Sequence, residues 1–389
     1  MFRSNPENLQ MLLDSRPDYL QWIEKTWLKM CSKMEAQCDR IGTEVPFTLV
    51  NGKRNDKLKE DPCWWTNGYW PGMLWLMYKD TKKEKYRVVA EKIEDLLDGA
   101  MTKFEGLCHD VGMQWYPSSG FNYKITGNYR SKIRAIHAAT LLAGRYNPRG
   151  RFIRAWDSWN EDTTGWIIID CMMNLPLLYW ASKEVGDPRF KFIAIDHADT
   201  VLKSQLRPDG SFNHIGVLDP YNGELLETPR GQGYASNSSW SRGQSWGLYG
   251  FALSCIHTGY YKYLEVALKS ARYVLEQLVK NDFVPFVDYR QPAEPKKIDT
   301  SAGMIAACGL IALAGIENNP EKEFCLTGAM NILQKLEAEF VDWDPNTDFI
   351  VKMGTSLYHS QDQLHVPLIY GDYYFLEALS KLRNPEFEI

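Results

Sequence analysis

Apolar and polar positions along this chain recur with the three-to-four-residue period of amphipathic helices. Stretches from Pro17 to Arg40, Lys83 to Phe104, Asn128 to Gly144, Pro188 to Leu206, Tyr260 to Lys280 and Pro320 to Phe340 each carry an apolar stripe beside a charged face. That pattern suits helices with one side in water. Between them lie shorter, more apolar and aromatic stretches: Asn67 to Tyr78, Asp110 to Lys124, Gly165 to Ser182, Trp240 to His257, Thr300 to Ile316 and Tyr370 to Leu382. These predict inner helices. Short turns bearing Gly, Asp or Pro, such as Ile125-Thr126-Gly127-Asn128 and Val185-Gly186-Asp187-Pro188, join inner to outer stretches.

Six inner and six outer candidates make six helical hairpins. Long Trp- and Gly-rich insertions fall at the returns on one side and favour a closed α/α toroid over an open solenoid, whose repeats keep one length. One β signal interrupts the pattern: Ser211 to Val217 and Glu224 to Thr228 flank Asn222-Gly223 and read as a hairpin. No linker divides the 389 residues, so a single domain over 1–389 is expected.

Composition narrows the function. With 44 Lys+Arg against 49 Asp+Glu, the net charge of −5 lacks the basic stripe that phosphate backbones require, so no nucleic-acid partner is expected. No apolar run approaches a membrane span, and Met1 to Arg16 lacks the apolar core of a signal peptide. The eight cysteines are scattered without a C-x-x-C, as suits reduced thiols of a cytoplasmic protein. Aromatic residues reach 13%, many among Gly and Asn, where rings line pockets more readily than they fill cores.

Two motifs mislead. Gly243-Gln244-Ser245-Trp246-Gly247 fits G-x-S-x-G, yet a nucleophile elbow stands on a strand and the preceding residues read as a helix start. Gly231-Gln232-Gly233 lacks the third glycine and the βαβ setting of a dinucleotide site. The seven histidines show no paired ligand spacing, so neither metal nor cofactor is expected.

The informative residues are two aspartates at inner stretches. Asp110 opens an apolar, aromatic stretch, and Asp170 ends Ile167-Ile168-Ile169. Each could be a helix N-cap. Alternatively, an apolar setting would favour the protonated carboxyl that a general acid needs. Trp240 and Trp246 offer faces for a sugar ring, Arg242 a fork for a carboxylate, and His214 a polar aromatic on the hairpin.

The segments Trp65-Thr66-Asn67-Gly68-Tyr69-Trp70, His109-Asp110-Val111-Gly112, Ile169-Asp170-Cys171-Met172-Met173-Asn174, Arg230-Gly231-Gln232-Gly233-Tyr234, Ser239-Trp240-Ser241-Arg242-Gly243-Gln244 and Gly371-Asp372-Tyr373-Tyr374 resemble the unsaturated glucuronyl hydrolases of glycoside hydrolase family 88. The resemblance implies an all-α (α/α)6 barrel with a small β-hairpin insertion. It also implies an enzyme that removes a Δ4,5-unsaturated uronic acid from the non-reducing end of lyase-generated, glycosaminoglycan-type oligosaccharides, so that its partner is a small anionic unsaturated oligosaccharide. On that reading Asp170 is the general acid/base and Asp110 the second essential carboxylate, while Trp65, Asn67, His109, Trp156, His214, Gln232, Trp240, Arg242, Trp246 and Ser360 bind substrate. One stretch departs from the family pattern. In Leu357 to Gln363, Ser360 is kept, but Asp362 stands where members accepting sulfated disaccharides carry a lysine, leaving His359 or His365 to substitute. The alternatives are an unsaturated rhamnogalacturonyl hydrolase and a non-catalytic sugar-binding helical protein. The His-Asp pair and Ser-Trp-x-Arg-Gly-Gln favour the glucuronyl reading.

Overall fold

The computed structural model describes residues 2–158 and 160–386. They group into two compact units, one taking the chain up to Arg40, Arg207–Phe212 and the chain from Gln232, the other Ile41–Leu206 and Asn213–Gly231. Each unit holds three inner–outer helix pairs, one of those in the first unit being made from the two ends of the chain, which supplies the six expected from the pattern of apolar positions.

In the first unit Ser241–Thr258 pairs with Tyr261–Val279, and Thr300–Ala314 with Lys322–Phe340. Ile369–Arg383 meets Pro17–Ile41, where Arg383 reaches Glu24 at 2.9 Å and lies over the Trp27 ring. Ser241–Thr258 and Thr300–Ala314 are buried nearly all round, as suits their mostly small and apolar residues, whereas Tyr261–Val279 buries one face. A further helix, Pro6–Asp14, was not predicted; Asn5 caps it and its short apolar stripe packs on Thr300–Ala314.

In the second unit Tyr69–Thr81 pairs with Glu84–Lys103, and Leu175–Val185 with Arg189–Ser204. Tyr129–Gly144, capped by the Asn128 side chain on the backbone N–H of Arg130 and Ser131, packs against a broken inner element. That element, expected as one helix from Asp110 to Lys124, runs as Val111–Trp115, a π-helical turn Tyr116–Gly120 and Phe121–Thr126. Pro117 removes a backbone donor there, and one wide turn absorbs the break. Glu94 braces it from the neighbouring helix, accepting from Trp75 Nε1, Ser119 Oγ, Asn122 Nδ2 and Ser131 Oγ at 2.7–3.1 Å. Burial pushes its carboxyl pKa up while these donors pull it back.

The stretch from Gly165 to Ser182 departs further from a helix. Trp166–Ile168 is a strand, Ile169–Met173 a 3-10 turn, and only Leu175–Val185 is α-helical. The β-branched isoleucines pair antiparallel with the predicted hairpin, Ile167 opposite Gly216 and Ile168 opposite Ile215, so that hairpin, Ile215–Leu218 with Leu225–Glu227, becomes a three-stranded sheet. Among the described residues no helix is long and apolar enough to cross a membrane.

His197 is fully buried in Arg189–Ser204, its Nδ1 accepting the backbone N–H of Ile153 at 3.0 Å. Burial pushes its pKa down to about 3. The unfolded chain therefore binds this proton first, and the stability tied to the neutral ring is complete above the unfolded value of ~6.5 and lost as pH falls towards 3, at about 1.4 kcal/mol per pH unit. Urea unfolding between pH 7 and 4 should show a shallower loss for His197→Asn than for the wild type, even if the variant starts less stable; parallel losses would exclude this source.

Candidate active site

Neither aspartate is the helix cap that either might have been. Asp110 stands at the cap position of Val111–Trp115, but its side chain takes no backbone N–H of that helix. Asp170 lies inside the 3-10 turn, and the helix beyond starts five residues later. Both carboxylates instead face imidazoles: Asp110 Oδ2 is 3.5 Å from His109 Nε2, and Asp170 Oδ2 is 3.4 Å from His214 Nε2. Both are largely buried, at 16% side-chain exposure.

The two pairs share a neighbourhood. His109 is buried, which holds its pKa below the ordinary value even though Asp110 and Asp170 both favour the charged ring. The Cys171 thiol, next to Asp170 in sequence, is pushed well up by burial, with Asp110 and Asp170 both adding to the shift. Short-range main-chain bonds set the frame: the N–H of His109 donates to Ala155 O, and that of Ile169 to His214 O, each at 3.0 Å. The strand that carries Asp170 to its position thus holds the histidine opposite it. Gly231 makes room for that histidine, since a Cβ there would lie 1.9 Å from His214 Nδ1.

Two tryptophans flank the Asp110 side. Trp156 lies 6.4 Å from the His109 ring and edge-on to Trp166 at 5.7 Å. Trp65, half-buried, belongs to the one-turn helix Trp65–Gly68 that packs against Val111–Trp115. Asn67 does not present an open face: fully buried, it donates to the carbonyls of Asp61 and Pro62 and ties down that turn.

The remaining predicted residues belong to the first unit, where three of them differ from expectation. Arg242 is not an open fork. Its guanidinium is 1% exposed, bonded to Asp299 Oδ2 at 2.9 Å and to the carbonyls of Thr355 and Ser356 at 2.6 and 2.8 Å. Asp299 in turn caps Thr300–Ala314 and accepts the N–H of Thr355. Trp240 is buried beneath the Arg242 guanidinium, and Trp246 is buried edge-on to Tyr374. Serine and glycine around these rings let neighbouring helices approach closely, so the small residues that suggested a pocket instead build a tight core. Gln232, half-buried, donates to Ser356 O, and Ser360 is half-buried in the turn after Leu357. Ser245 is not a nucleophile elbow: it is buried within Ser241–Thr258, its one hydroxyl hydrogen facing both Ser241 O and Ala302 O.

Sequence reasoning passed over two features. Cys108, His109 and Asp110 bring a thiol, a ring nitrogen and a carboxylate oxygen within 4.8 Å of one another, a contiguous set that a search for spaced ligand pairs misses. Burial pushes the Cys108 thiol well up, against the thiolate a metal would need, and Cys108 Sγ faces Asp110 Oδ2 as a donor. The set is a hydrogen-bonded one. The second feature is Asn174, quoted within a motif but given no role: fully buried, it touches both His109 and Asp110. Its only signal is a polar residue between Met173 and Leu175, four positions beyond Asp170.

The family model for Glycosyl Hydrolase Family 88 matches residues 34–288. An unsaturated glucuronyl hydrolase from Bacillus sp. (strain GL1) is 34% identical over 87% of this chain and 91% of its own. An unsaturated chondroitin disaccharide hydrolase from Streptococcus agalactiae is 30% identical over 96% and 94%. The crystal structure of the unsaturated glucuronyl hydrolase from Bacillus sp. GL1 superposes with a TM-score of 0.85 at 32% identity, covering 91% of this chain and 95% of that one. The expected fold class, an all-α (α/α)6 barrel, is borne out by that likeness.

Removing Arg242 would leave Asp299 charged and buried, which costs about 3–5 kcal/mol. Arg242→Met should therefore lower stability by that amount, and Arg242→Met with Asp299→Asn should recover part of it. Thermal and urea unfolding of both variants checks this; a single variant as stable as the wild type would mean the fork is free to bind other groups.

Proposed function

The chain belongs to glycosyl hydrolase family 88, and on that premise we propose that it removes a Δ4,5-unsaturated uronic acid from the non-reducing end of glycosaminoglycan-type oligosaccharides left by polysaccharide lyases. The observation that carries the reading is the pair of carboxylates, Asp110 and Asp170, each released from helix capping and each set against a buried imidazole.

The chemistry follows from the substrate, an enol ether. Ordinary glycosidases work with two carboxylates at the anomeric carbon. Here Asp170, protonated, gives its proton to C4. Water adds at C5 and returns a proton to the Asp170 carboxylate, which makes that residue acid and then base. The C5 hemiketal opens by breaking its bond to the ring oxygen, and the hemiacetal left at C1 expels the aglycone as an alcohol. Asp110, as the carboxylate, accepts from ring hydroxyls, while His109, neutral because it is buried, donates through one nitrogen only. Trp156 and Trp65 supply faces to the sugar. The reaction needs no metal or cofactor in this scheme. All eight cysteines are free thiols, which supports placing the protein in a reducing compartment such as the cytoplasm.

The segment resembling a sulfate-recognising loop supports an unsulfated substrate. His365 Nε2 accepts the N–H of Ile298, and burial lowers its pKa, so the ring stays neutral. His359 Nε2 is held 2.9 Å from Tyr234 O, and Lys297 is bonded to Tyr358 O. The nitrogens that would replace the missing lysine, His365 Nε2, His359 Nε2 and Lys297 Nζ, each already hold a main-chain partner.

Loss of the ultraviolet absorbance of the unsaturated uronide, followed with matched chondroitin disaccharides, tests both parts. Asp170→Asn should lower turnover by at least ~10²-fold with the fold intact, and near wild-type turnover would remove Asp170 from the mechanism. Unsulfated disaccharides should react at least as fast as those sulfated on the aglycone, and a strong preference for sulfate would show that His359 or another group binds it.

A further inference from the structure

Asn174 lies immediately beyond the turn that carries Asp170, its N–H bonded to Cys171 O at 2.9 Å. Its side chain reaches across to the other carboxylate's helix. Asn174 Oδ1 accepts the backbone N–H of Met113 at 2.8 Å, and Nδ2 donates to Asp110 Oδ1 at 3.2 Å. The second Nδ2 hydrogen is directed at His109 Nδ1, 3.5 Å away. The amide orientation is fixed by this set, since only its oxygen can face a backbone donor. With Nδ1 of His109 facing a donor, the single proton of the neutral ring sits on Nε2, 3.5 Å from Asp110 Oδ2.

The contact is possible only because residue 112 is glycine: a Cβ there would lie 2.5 Å from Asn174 Oδ1 and 2.6 Å from Asn174 Cα. Every polar atom of the amide is directed at the start of the Asp110 helix or at the residue before it.

We propose that Asn174 is the positioning residue that couples the two catalytic carboxylates, holding Asp110 in its working orientation and fixing the His109 tautomer from the turn that carries Asp170. This deepens the reaction assigned above and rests on it. Cys108 and His109 face Asp110 from its own turn, and the Cys171 thiol of the 3-10 turn feels its charge, while Asp170 and Arg145, just past Tyr129–Gly144, act on the same histidine and on Cys171. Among these contacts Asn174 contributes a neutral donor to Oδ1.

Asn174→Asp keeps the shape and the acceptor for Met113 but replaces that donor with a carboxylate oxygen. Two like charges at this separation cannot both ionise easily, so the pair retains a proton to higher pH. The acid limb of the kcat/KM profile should therefore move up by about one pH unit or more, and kcat should fall roughly 10²-fold through loss of orientation. Asn174→Ala, which adds no charge, should lose kcat with a smaller shift, and Gly112→Ala, which displaces Asn174 without altering it, should lose kcat as well. Melting temperatures are read alongside. An Asn174→Asp profile that overlays the wild type overturns the proposal, as does a rate loss with no movement of the acid limb. Failure of this isosteric variant to fold also overturns it, because Asn174 would then hold the fold and not the carboxylate. Asp170→Asn, assayed in parallel, separates the two failures: if that variant stays active the reaction itself is misassigned, and if it is inactive while Asn174→Asp is indifferent, only the role of Asn174 is lost.

Discussion

The geometry of the candidate site depends on one close approach, that of Asn174 to Gly112. Hydrogen-bond distances of about 3 Å between a side-chain amide and a helix start leave no space for a Cβ on the facing residue. Gly112 removes that obstacle and the amide occupies the space, spending its oxygen on Met113 and its hydrogens towards Asp110 and His109. The turn bearing Asp170 and the helix bearing Asp110 are consequently held by a polar contact whose tolerance is a few tenths of an ångström. Apolar packing alone would let them slide.

A similar economy governs the buried charges. Glu94 accepts five hydrogen bonds inside the second unit, one of them from Arg134, and keeps a π-helical turn in register with its neighbours. Arg242 and Asp299, both buried in the first unit, join the starts of two inner helices to the segment Thr355-Ser356. Removing charge from water is costly, and each of these groups offsets that cost with several hydrogen bonds to buried partners. Irregular segments rich in Trp and Gly are thereby anchored at points that periodic helices could not supply.

The histidines show how environment assigns roles to like residues. His197 and His365 have their rings used as acceptors of backbone N–H groups, and burial keeps both neutral. His109 and His214 face carboxylates instead, and their main-chain atoms are fixed by Ala155 and by Ile169. Only the second kind offers a polar edge beside an ionisable oxygen, which is what enol-ether hydration by a single acid/base residue calls for.

The alternation of apolar and charged faces determined all six outer helices to within two residues at either end, because a helix in water must hide one stripe whatever it packs against. The motifs around Asp110 and Asp170 were equally legible, since their residue types are uncommon in apolar surroundings. What the sequence could not convey was direction. Ile167-Ile168-Ile169 suits a buried helix or a strand, and only pairing with Ile215–Leu218 made it a strand and turned Asp170 towards His214. Arg242 reads as a free fork until Asp299, 57 residues away, is seen to occupy it, and Asn174 reads as an ordinary polar residue until Gly112, in a different hairpin, lets it reach Asp110. Local periodicity is fixed by solvent and the chain itself; the partner of a buried polar atom is fixed by whichever distant segment arrives within 3 Å, and that is decided only when the tertiary structure closes.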